Sequence, residues 1–170
     1  IFFAIKRKKN DGNKFIGDAI KQKASLAIVN KINKSNKILN QIKVKDTLKF
    51  LTESSKIYRK NIDTKIIAIT GSCGKTTLKE LLGSSLKKYF RTSVSPKSYN
   101  NKYGVPLSLF NLNHRNDYGV LEIGMDKKGE IDYLSKIIKT NISVITNINY
   151  ANVQNIKNLK QILKAKLWKK

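Results

Sequence analysis

The sequence predicts an α/β protein, in which a mostly parallel sheet of the phosphate-loop type with flanking helices follows a small, truncated α/β domain. Three observations lead to this class. Residues 65–70 form an apolar, β-branched run typical of a buried parallel strand. A glycine turn at 71–75 follows the strand, and apolar residues at helical spacing follow the turn. Strands and helices then alternate, which favours right-handed parallel crossovers.

The glycine turn, Gly71-Ser-Cys-Gly-Lys-Thr-Thr77, carries the chemistry. Glycines let several N–H groups point into one concavity, and the N-terminus of the following helix adds its positive dipole. In such a loop Lys75 contacts the terminal phosphates of a nucleotide and the Thr76 hydroxyl holds Mg²⁺. The spacing is shorter than a full Walker A motif, because Ile69 stands where its first glycine would be. The alternative is an ordinary turn before a helix that binds no phosphate.

The first part of the chain predicts a small α/β unit. Residues 1–5 read as a strand, a turn follows at Asp11-Gly12, residues 15–20 form a short amphipathic helix, and residues 25–29 form the next strand. Residues 30–41 are polar and lysine-rich, so we predict a linker there, apart from a short strand leading to Val44. We place the domain boundary near residue 44, which gives domains at 1–44 and 45–170.

After the phosphate-loop helix, the sequence predicts five further elements before the final helix. The phosphate-loop helix is expected to pack one face on the sheet, through residues at helical spacing: Leu78, Leu81, Leu82, Ser85, Leu86 and Tyr89. A helix from Val44 to about Lys60 precedes the loop unit. The later elements are a strand at 91–95, a helix at 105–110 with Pro106 in its first turn, a strand at 117–123, a helix at 129–140 and a strand at 141–147.

Glu122 stands near the carboxyl end of its predicted strand. In open α/β sheets the ligand crevice lies beyond the carboxyl ends of the strands. A carboxylate there, opposite Thr76, is well placed to bind Mg²⁺ directly or through water. The alternative is a carboxylate at the rim that pairs with one of many lysines.

The last predicted helix carries Lys166 on the apolar face formed by Leu159, Ile162 and Leu163. Burial favours the neutral amine. A neutral amine can take up CO₂ to form a carbamate, which offers oxygen ligands to Mg²⁺. By itself the pattern favours a lysine whose stem lies on the apolar face while its ammonium reaches solvent.

Composition excludes several classes. The formal net charge is +24, but the lysines are spread along nearly every segment and only four arginines occur, so we expect no specific nucleic-acid partner. One cysteine, Cys73, excludes an internal disulfide. No run is long and apolar enough for a membrane span. We expect a cytoplasmic monomer, and a fragment of a longer protein, because the chain begins at Ile1 and ends inside a helical pattern.

Four ordered blocks resemble those of the Mur ligases: residues 70–77 (TGSCGKTT), 99–106 (YNNKYGVP), 121–131 (LEIGMDKKGEI) and 145–148 (ITNI). Residues 1–6 (IFFAIK) also resemble the substrate-binding domain of that family. The resemblance covers essentially the whole chain. The blocks are most similar to the member that adds a D-alanyl-D-alanine dipeptide.

The resemblance implies a reaction. ATP phosphorylates the terminal carboxylate of a UDP-N-acetylmuramoyl tripeptide, and the amine of D-alanyl-D-alanine attacks the acyl phosphate to form a peptidoglycan precursor. The implied catalytic residues are Lys75 and Lys166, and the implied metal residues are Thr76, Glu122, Lys166 and Asn152. The implied cofactors are ATP and Mg²⁺. The expected nucleotide-binding residues are Gly71, Ser72, Cys73, Gly74, Lys75, Thr76, Thr77, Asn100 and Asn101.

The sequence also departs from the family. Asn152 stands where the family usually has a metal-binding histidine, and Leu167-Trp168 replaces the usual Gly-Glu or Ser-Glu after the lysine. We expect the C-terminal domain, which in the family closes over ATP, to be absent from this sequence. His114, the one histidine, is expected to be exposed in a polar loop.

Three alternatives stay open. The first is another Mur-type ligase, either the one that adds the third amino acid or folylpolyglutamate synthase, although the block at 99–106 argues against both. The second is a basic phosphate-loop ATPase that binds nucleic acid. The third is a non-catalytic relic of a ligase.

Overall fold

The structure is a computed structural model and describes residues 1–7, 10–34, 40–97, 99–125, 127 and 129–149. The chain divides into two compact units, Ile1–Ser54 and Ser55–Lys170. The division falls inside helix α2 (Thr47–Lys60). The boundary predicted near residue 44 stays a prediction.

The first unit contains a parallel three-stranded sheet in the order β1 (Phe2–Phe3), β2 (Leu26–Val29), β3 (Asn40–Lys43). Phe2 lies beside Ala27, and Leu26 lies beside Asn40. Helix α1 (Ile16–Lys21) packs Ile16 and Ala19 into a core with residues of β2. The sheet confirms the predicted small α/β unit, and β3 occupies the end of the predicted linker.

The second unit contains a parallel four-stranded sheet in the order β5-β6-β4-β7. Its strands are β4 (Lys65–Thr70), β5 (Thr92–Val94), β6 (Tyr118–Glu122) and β7 (Ile142–Ile145). Strand β4 is an inner strand between β6 and β7, and five of its six residues are buried. Its register places Ile69 beside Glu122, and Thr70 beside Ile145. The predicted fold class is therefore confirmed.

Helices cover both faces of this sheet. Helices α4 (Gly104–Phe110) and α5 (Glu130–Ile138) contribute to the larger apolar core, around Ile66, Ala68 and Leu121. Helix α3 (Lys75–Leu86) packs on the other face, where Ile67, Ile69 and Val120 are buried. Because parallel strands covered on both faces must be apolar throughout, the run at 65–70 is nearly continuous in its hydrophobicity.

Three residues expected on the packed face of α3 are exposed, namely Leu81, Ser85 and Tyr89. Leu81 faces solvent, with 62% of its surface accessible, and Tyr89 has 81% of its surface accessible. The buried side of α3 includes Lys79 and Gly83, which turns the packed face away from Leu81. The helix ends at Leu86, so Tyr89 lies beyond it. Leu78, Leu82 and Leu86 pack against the sheet as predicted.

Two smaller differences concern helix boundaries. Phe15 belongs to a 3₁₀ turn (Gly12–Phe15) and is 47% exposed, so the short helix begins only at Ile16. Val44 precedes α2 and donates its N–H to the Val29 carbonyl, extending the pairing of β3 with β2. The Asp11 carboxylate accepts from the Asn13 N–H at the start of the 3₁₀ turn, which explains the predicted turn there.

Arg59 ties the ends of several elements together in the second unit. Its buried guanidinium donates from Nε to the Ile138 carbonyl at 2.6 Å and from Nη1 to the Ile62 carbonyl at 2.9 Å. Asn141 Oδ1 accepts a hydrogen bond from Arg59 Nη2 at 3.3 Å and another from the Ile66 N–H at 2.8 Å. Burial lowers the pKa of Arg59. The last carbonyl groups of α5 thus find donors beside the start of β4.

In the part of the chain that the structure describes, no helix combines the length and the apolar character needed to cross a membrane.

Candidate active site

The glycine turn lies where β4 ends and α3 begins, at the carboxyl edge of the sheet. Gly74 has a φ of 76° and occupies the N-cap of α3. A Cβ at Gly74 would meet nothing within 4 Å, so its conformation, and not lack of space, favours glycine. Gly71 differs from Gly74 in that it has both a positive φ, of 149°, and no room for a side chain. A Cβ at Gly71 would collide with Thr146. The loop therefore presents bare backbone to the crevice.

The segment after β7 shapes the first half of the loop. The N–H groups of Ser72 and Cys73 donate to Asn147 Oδ1 at 3.0 and 2.9 Å. Thr146 Oγ1 donates to the Cys73 carbonyl at 2.6 Å, and Ser72 Oγ donates to the Asn149 carbonyl at 2.7 Å. Sequence reasoning missed these roles of Thr146 and Asn147. Their position directly after a parallel strand is the signal that could have found them.

Lys75 bends back over the loop. Its Nζ donates to the Gly71 carbonyl at 3.0 Å and to the Ser72 carbonyl at 3.3 Å. Cys73 and Thr77 are exposed. The ammonium is thus held beside the bare backbone of the loop, where an anion would meet both the lysine and the N-terminus of α3.

Thr76 and Glu122 meet as predicted. The Thr76 hydroxyl donates to Glu122 Oε2 at 2.7 Å, and Asn100 Nδ2 donates to Oε1 of the same carboxylate at 2.8 Å. Glu122 is only 2% exposed. Among the described residues, its carboxylate accepts from the Thr76 hydroxyl and from the Asn100 side-chain amide, and its backbone N–H donates to Ser95 Oγ. This arrangement differs from a surface ion pair with a lysine.

The donor set suits Mg²⁺ held together with a nucleotide. Magnesium prefers oxygen ligands and usually combines one or two carboxylates with waters and phosphate oxygens. The Thr76 hydroxyl and the Glu122 carboxylate supply two such groups at one point of the crevice. Within the described ranges, no group of three or more His, Cys, Asp or Glu side chains could hold a metal without further ligands. The residues present therefore fit a metal completed by phosphate.

The two neighbouring asparagines have different contacts. Asn100 touches Glu122 through its side chain, and its carbonyl accepts the Gly124 N–H at 2.6 Å. Asn101 Oδ1 instead accepts the N–H groups of Tyr103 and Gly104, at 3.0 and 3.1 Å, at the start of α4. The amide of Asn101 thus has the turn role that the sequence alone left open. Its role toward a nucleotide stays a prediction.

Two predicted site residues, Asn152 and Lys166, lie outside the described residues. The predicted final helix, which carries Lys166, lies there too. His114 is exposed, as expected.

Sequence reasoning also missed Lys79, which is fully buried on α3. The lysine excess concealed it, and Gly83 one turn later was the available signal, since a glycine within a helix often marks close packing.

A parallel sheet, with a glycine turn and a helix N-terminus at its carboxyl edge, defines the phosphate-loop class of α/β proteins. Residues 69–168 match the family model of the Mur ligase middle domain. The chain belongs to the Mur ligase family, which confirms the resemblance of the four sequence blocks.

Relatives and solved structures agree with this assignment. The chain is 39% identical over 166 residues to the UDP-N-acetylmuramoyl-tripeptide–D-alanyl-D-alanine ligase of Buchnera aphidicola subsp. Acyrthosiphon pisum, covering 98% of this chain and 36% of the relative. It is 32% identical over 169 residues to the Bacillus subtilis ligase of the same name, covering 98% and 37%.

Two solved structures are also similar. A crystal structure of MurF from Acinetobacter baumannii matches with a TM-score of 0.81 at 34% identity, over 96% of this chain and 36% of that one. MurF ligase from Thermotoga maritima in complex with ADP matches with a TM-score of 0.77 at 28% identity, over 96% and 38%. The chain therefore spans little more than a third of the length of these relatives.

Proposed function

We propose that the protein carrying this chain is an ATP-dependent amide ligase that joins D-alanyl-D-alanine to a UDP-N-acetylmuramoyl tripeptide in peptidoglycan precursor synthesis. One observation carries the proposal: the Thr76 hydroxyl and the buried Glu122 carboxylate lie 2.7 Å apart beside the phosphate loop. The names of the relatives at 39% and 32% identity support the choice of substrates. The activity belongs to a protein of the relatives' full length.

The loop residues have defined roles in this proposal. The backbone N–H groups where the loop enters α3, together with the helix dipole, would bind the phosphates of ATP, since the N–H groups of Ser72 and Cys73 already donate to Asn147. Lys75 exchanges the carbonyl groups of Gly71 and Ser72 for a phosphate oxygen, because a phosphate carries more negative charge than a carbonyl. Thr76 and Glu122 hold Mg²⁺, which would offset the negative charge of the nucleotide. Asn100 orients the Glu122 carboxylate through Oε1.

The proposed reaction has two steps. A carboxylate oxygen of the tripeptide attacks the γ-phosphorus of ATP, and the bond to the leaving ADP oxygen breaks. The amine of D-alanyl-D-alanine then adds to the acyl carbon, loses a proton and expels inorganic phosphate. The residues of this chain contribute by positioning and charge neutralisation, since both reactants are anions in the first step. ATP and the UDP-linked substrate imply a cytoplasmic reaction, and we propose a monomer.

Lys166 and Asn152 complete the proposal. Lys166 as a carbamate would add oxygen ligands, and Asn152 could offer a carbonyl oxygen in place of the usual histidine. Lys166→Ala is expected to lose ligase activity in the full-length protein, and Lys164→Ala is the matched control. Near-normal turnover of Lys166→Ala, in CO₂-depleted and CO₂-replete buffer alike, would exclude this role.

The proposal is tested by phosphate release from ATP in the full-length protein. Release is expected only when the UDP-linked tripeptide and D-alanyl-D-alanine are both present. Release with a single amino acid in place of the dipeptide would favour another Mur-type ligase. Release stimulated by DNA and indifferent to the dipeptide would favour the nucleic-acid ATPase. No release under any of these conditions would favour the relic.

A further inference from the structure

Lys79 is a fully buried lysine whose ammonium has a defined partner. Its side chain is 0% exposed, although it lies only three residues after Thr76 on α3. The Nζ donates to the Ser95 carbonyl at 2.8 Å and lies 3.1 Å from Glu80 Oε1. Glu80 is 56% exposed, so solvent screens that ion pair. Burying an ammonium costs free energy unless it is hydrogen-bonded, and the Ser95 carbonyl supplies that bond.

Close packing explains why Lys79 is enclosed. Gly83 lies one turn later on the same side of α3, and a Cβ there would collide with a methyl group of Val94. The helix backbone therefore approaches β5 directly at this point. The Lys79 side chain then runs between helix and sheet, and its ammonium reaches the residue that follows β5.

Ser95 connects Lys79 to the candidate metal site. Its N–H donates to the Val120 carbonyl at 2.9 Å, and its carbonyl accepts from Lys79. Its hydroxyl oxygen accepts the N–H of Glu122 at 3.2 Å. Helix α3 is thus linked to Glu122 twice: directly through the Thr76 hydroxyl, and indirectly through Lys79 and Ser95.

We propose that Lys79 is a positioning residue for the Glu122 carboxylate. In the proposed function the Thr76 hydroxyl and the Glu122 carboxylate would hold Mg²⁺, so the direct 2.7 Å hydrogen bond is made by the same atoms that the ion would engage. The link through Ser95 does not involve those atoms, so it still holds the backbone of Glu122 against α3. Lys79 therefore presets the distance across which the ion binds. This inference rests on the metal site of the proposed function.

The experiment is a Mg²⁺ titration of ADP binding to the full-length protein. Lys79→Met keeps the length of the side chain and removes the ammonium. It is expected to raise the Mg²⁺ concentration for half-maximal binding about tenfold, as is usual when a group that orients a metal ligand is removed. ADP binding without Mg²⁺ is expected to stay unchanged, whereas general damage to the fold would weaken both. Lys79→Arg, which retains a cationic donor, is expected to restore part of the effect.

Three further variants make the result decisive. Ser95→Ala keeps the Lys79 ammonium and its carbonyl acceptor but removes the hydroxyl that contacts Glu122. It is therefore expected to raise the Mg²⁺ requirement as much as Lys79→Met does. If Lys79→Met does not fold, Ser95→Ala takes its place in the test. Lys87→Met removes an exposed lysine just after α3 and is the control. If Glu122→Gln leaves the Mg²⁺ requirement unchanged, the metal site itself is wrong. If Glu122→Gln raises it while Lys79→Met or its substitute Ser95→Ala does not, the positioning role is overturned.

Discussion

At the scale of single residues, burial separates the groups that carry chemistry from the many that only carry charge. Most lysines among the described residues are exposed, but Lys79 is enclosed and Lys75 is held over the phosphate loop. Glu122 is likewise buried beside Thr76. Sequence spacing predicted Lys75, Thr76 and Glu122, because a glycine turn and a strand end mark them. It could not predict the burial of Lys79, because that depends on how closely a helix approaches a strand.

We predict that Lys75→Ala weakens binding of Mg-ATP about 10- to 100-fold, since a charged hydrogen bond to phosphate contributes about 1.5–3 kcal/mol. The fold should persist, because the lysine contacts only loop carbonyl groups. Calorimetry on the full-length protein measures the affinity, with Lys87→Ala as the control. Equal affinities of Lys75→Ala and the unchanged protein would contradict the assignment of the loop.

A second residue-scale prediction concerns acid stability. The Arg91 guanidinium, which donates to both carboxylate oxygens of Asp117, lowers the pKa of Asp117 from 3.8 to about 2. A lowered pKa in the folded state means that the stabilisation is complete above the unfolded value and is lost as the pH falls toward about 2. The difference in unfolding free energy between the unchanged protein and Asp117→Asn is therefore expected to shrink between about pH 4 and 2.

Denaturant unfolding at a series of pH values measures that difference, and an NMR titration of Asp117 measures the pKa directly. Arg91→Met should move the Asp117 pKa back toward its ordinary value. A difference that stays constant down to pH 2 would show that the ion pair does not stabilise the fold.

At the scale of elements, the strands and helices of both units follow from local patterns. The apolar run at 65–70 and the leucines of α3 predicted a strand and a helix that the structure contains. Leu81 was misplaced because a lysine and a glycine, which a hydrophobicity pattern ignores, lie on the buried side of α3, and Tyr89 was misplaced because the helix ends at Leu86. The short strand β3 was only partly foreseen, because Asn and Gln carry weak strand preference and its pairing is set by β2.

We predict that Gly83→Ala lowers the free energy of unfolding by about 1–3 kcal/mol, the usual cost of overpacking, because the added methyl group would collide with Val94. Gly17→Ala is the matched control: it lies inside α1 and has nothing within 4 Å, so it should stabilise by about 0.5–1 kcal/mol. Chemical denaturation measures both. Val94→Ala should relieve part of the Gly83→Ala loss, and purely additive effects would argue against the close contact.

At the scale of the whole molecule, the sequence predicted the order of elements in two α/β units, and the family is established by the match over residues 69–168. The site is assembled from four separate places in the chain: the loop after β4, the turn around Asn100, the end of β6 and the segment after β7. Only the parallel sheet brings these places together at one edge. The contacts of Asn147 therefore could not be read from spacing alone, although the strand that precedes it could.

The central claim is that the phosphate loop, Thr76 and Glu122 form one Mg-nucleotide site. A crystal structure of the full-length protein with Mg²⁺ and a non-hydrolysable ATP analogue tests it most directly. We expect phosphate oxygens on the N–H groups where the loop enters α3, and an ion bound to the Thr76 hydroxyl and to Glu122 directly or through water. Where Glu122 binds the ion directly, the ion should replace the 2.7 Å hydrogen bond between those two residues. Nucleotide bound elsewhere, or nucleotide bound at the loop with no ion at Thr76 and Glu122, would contradict the account.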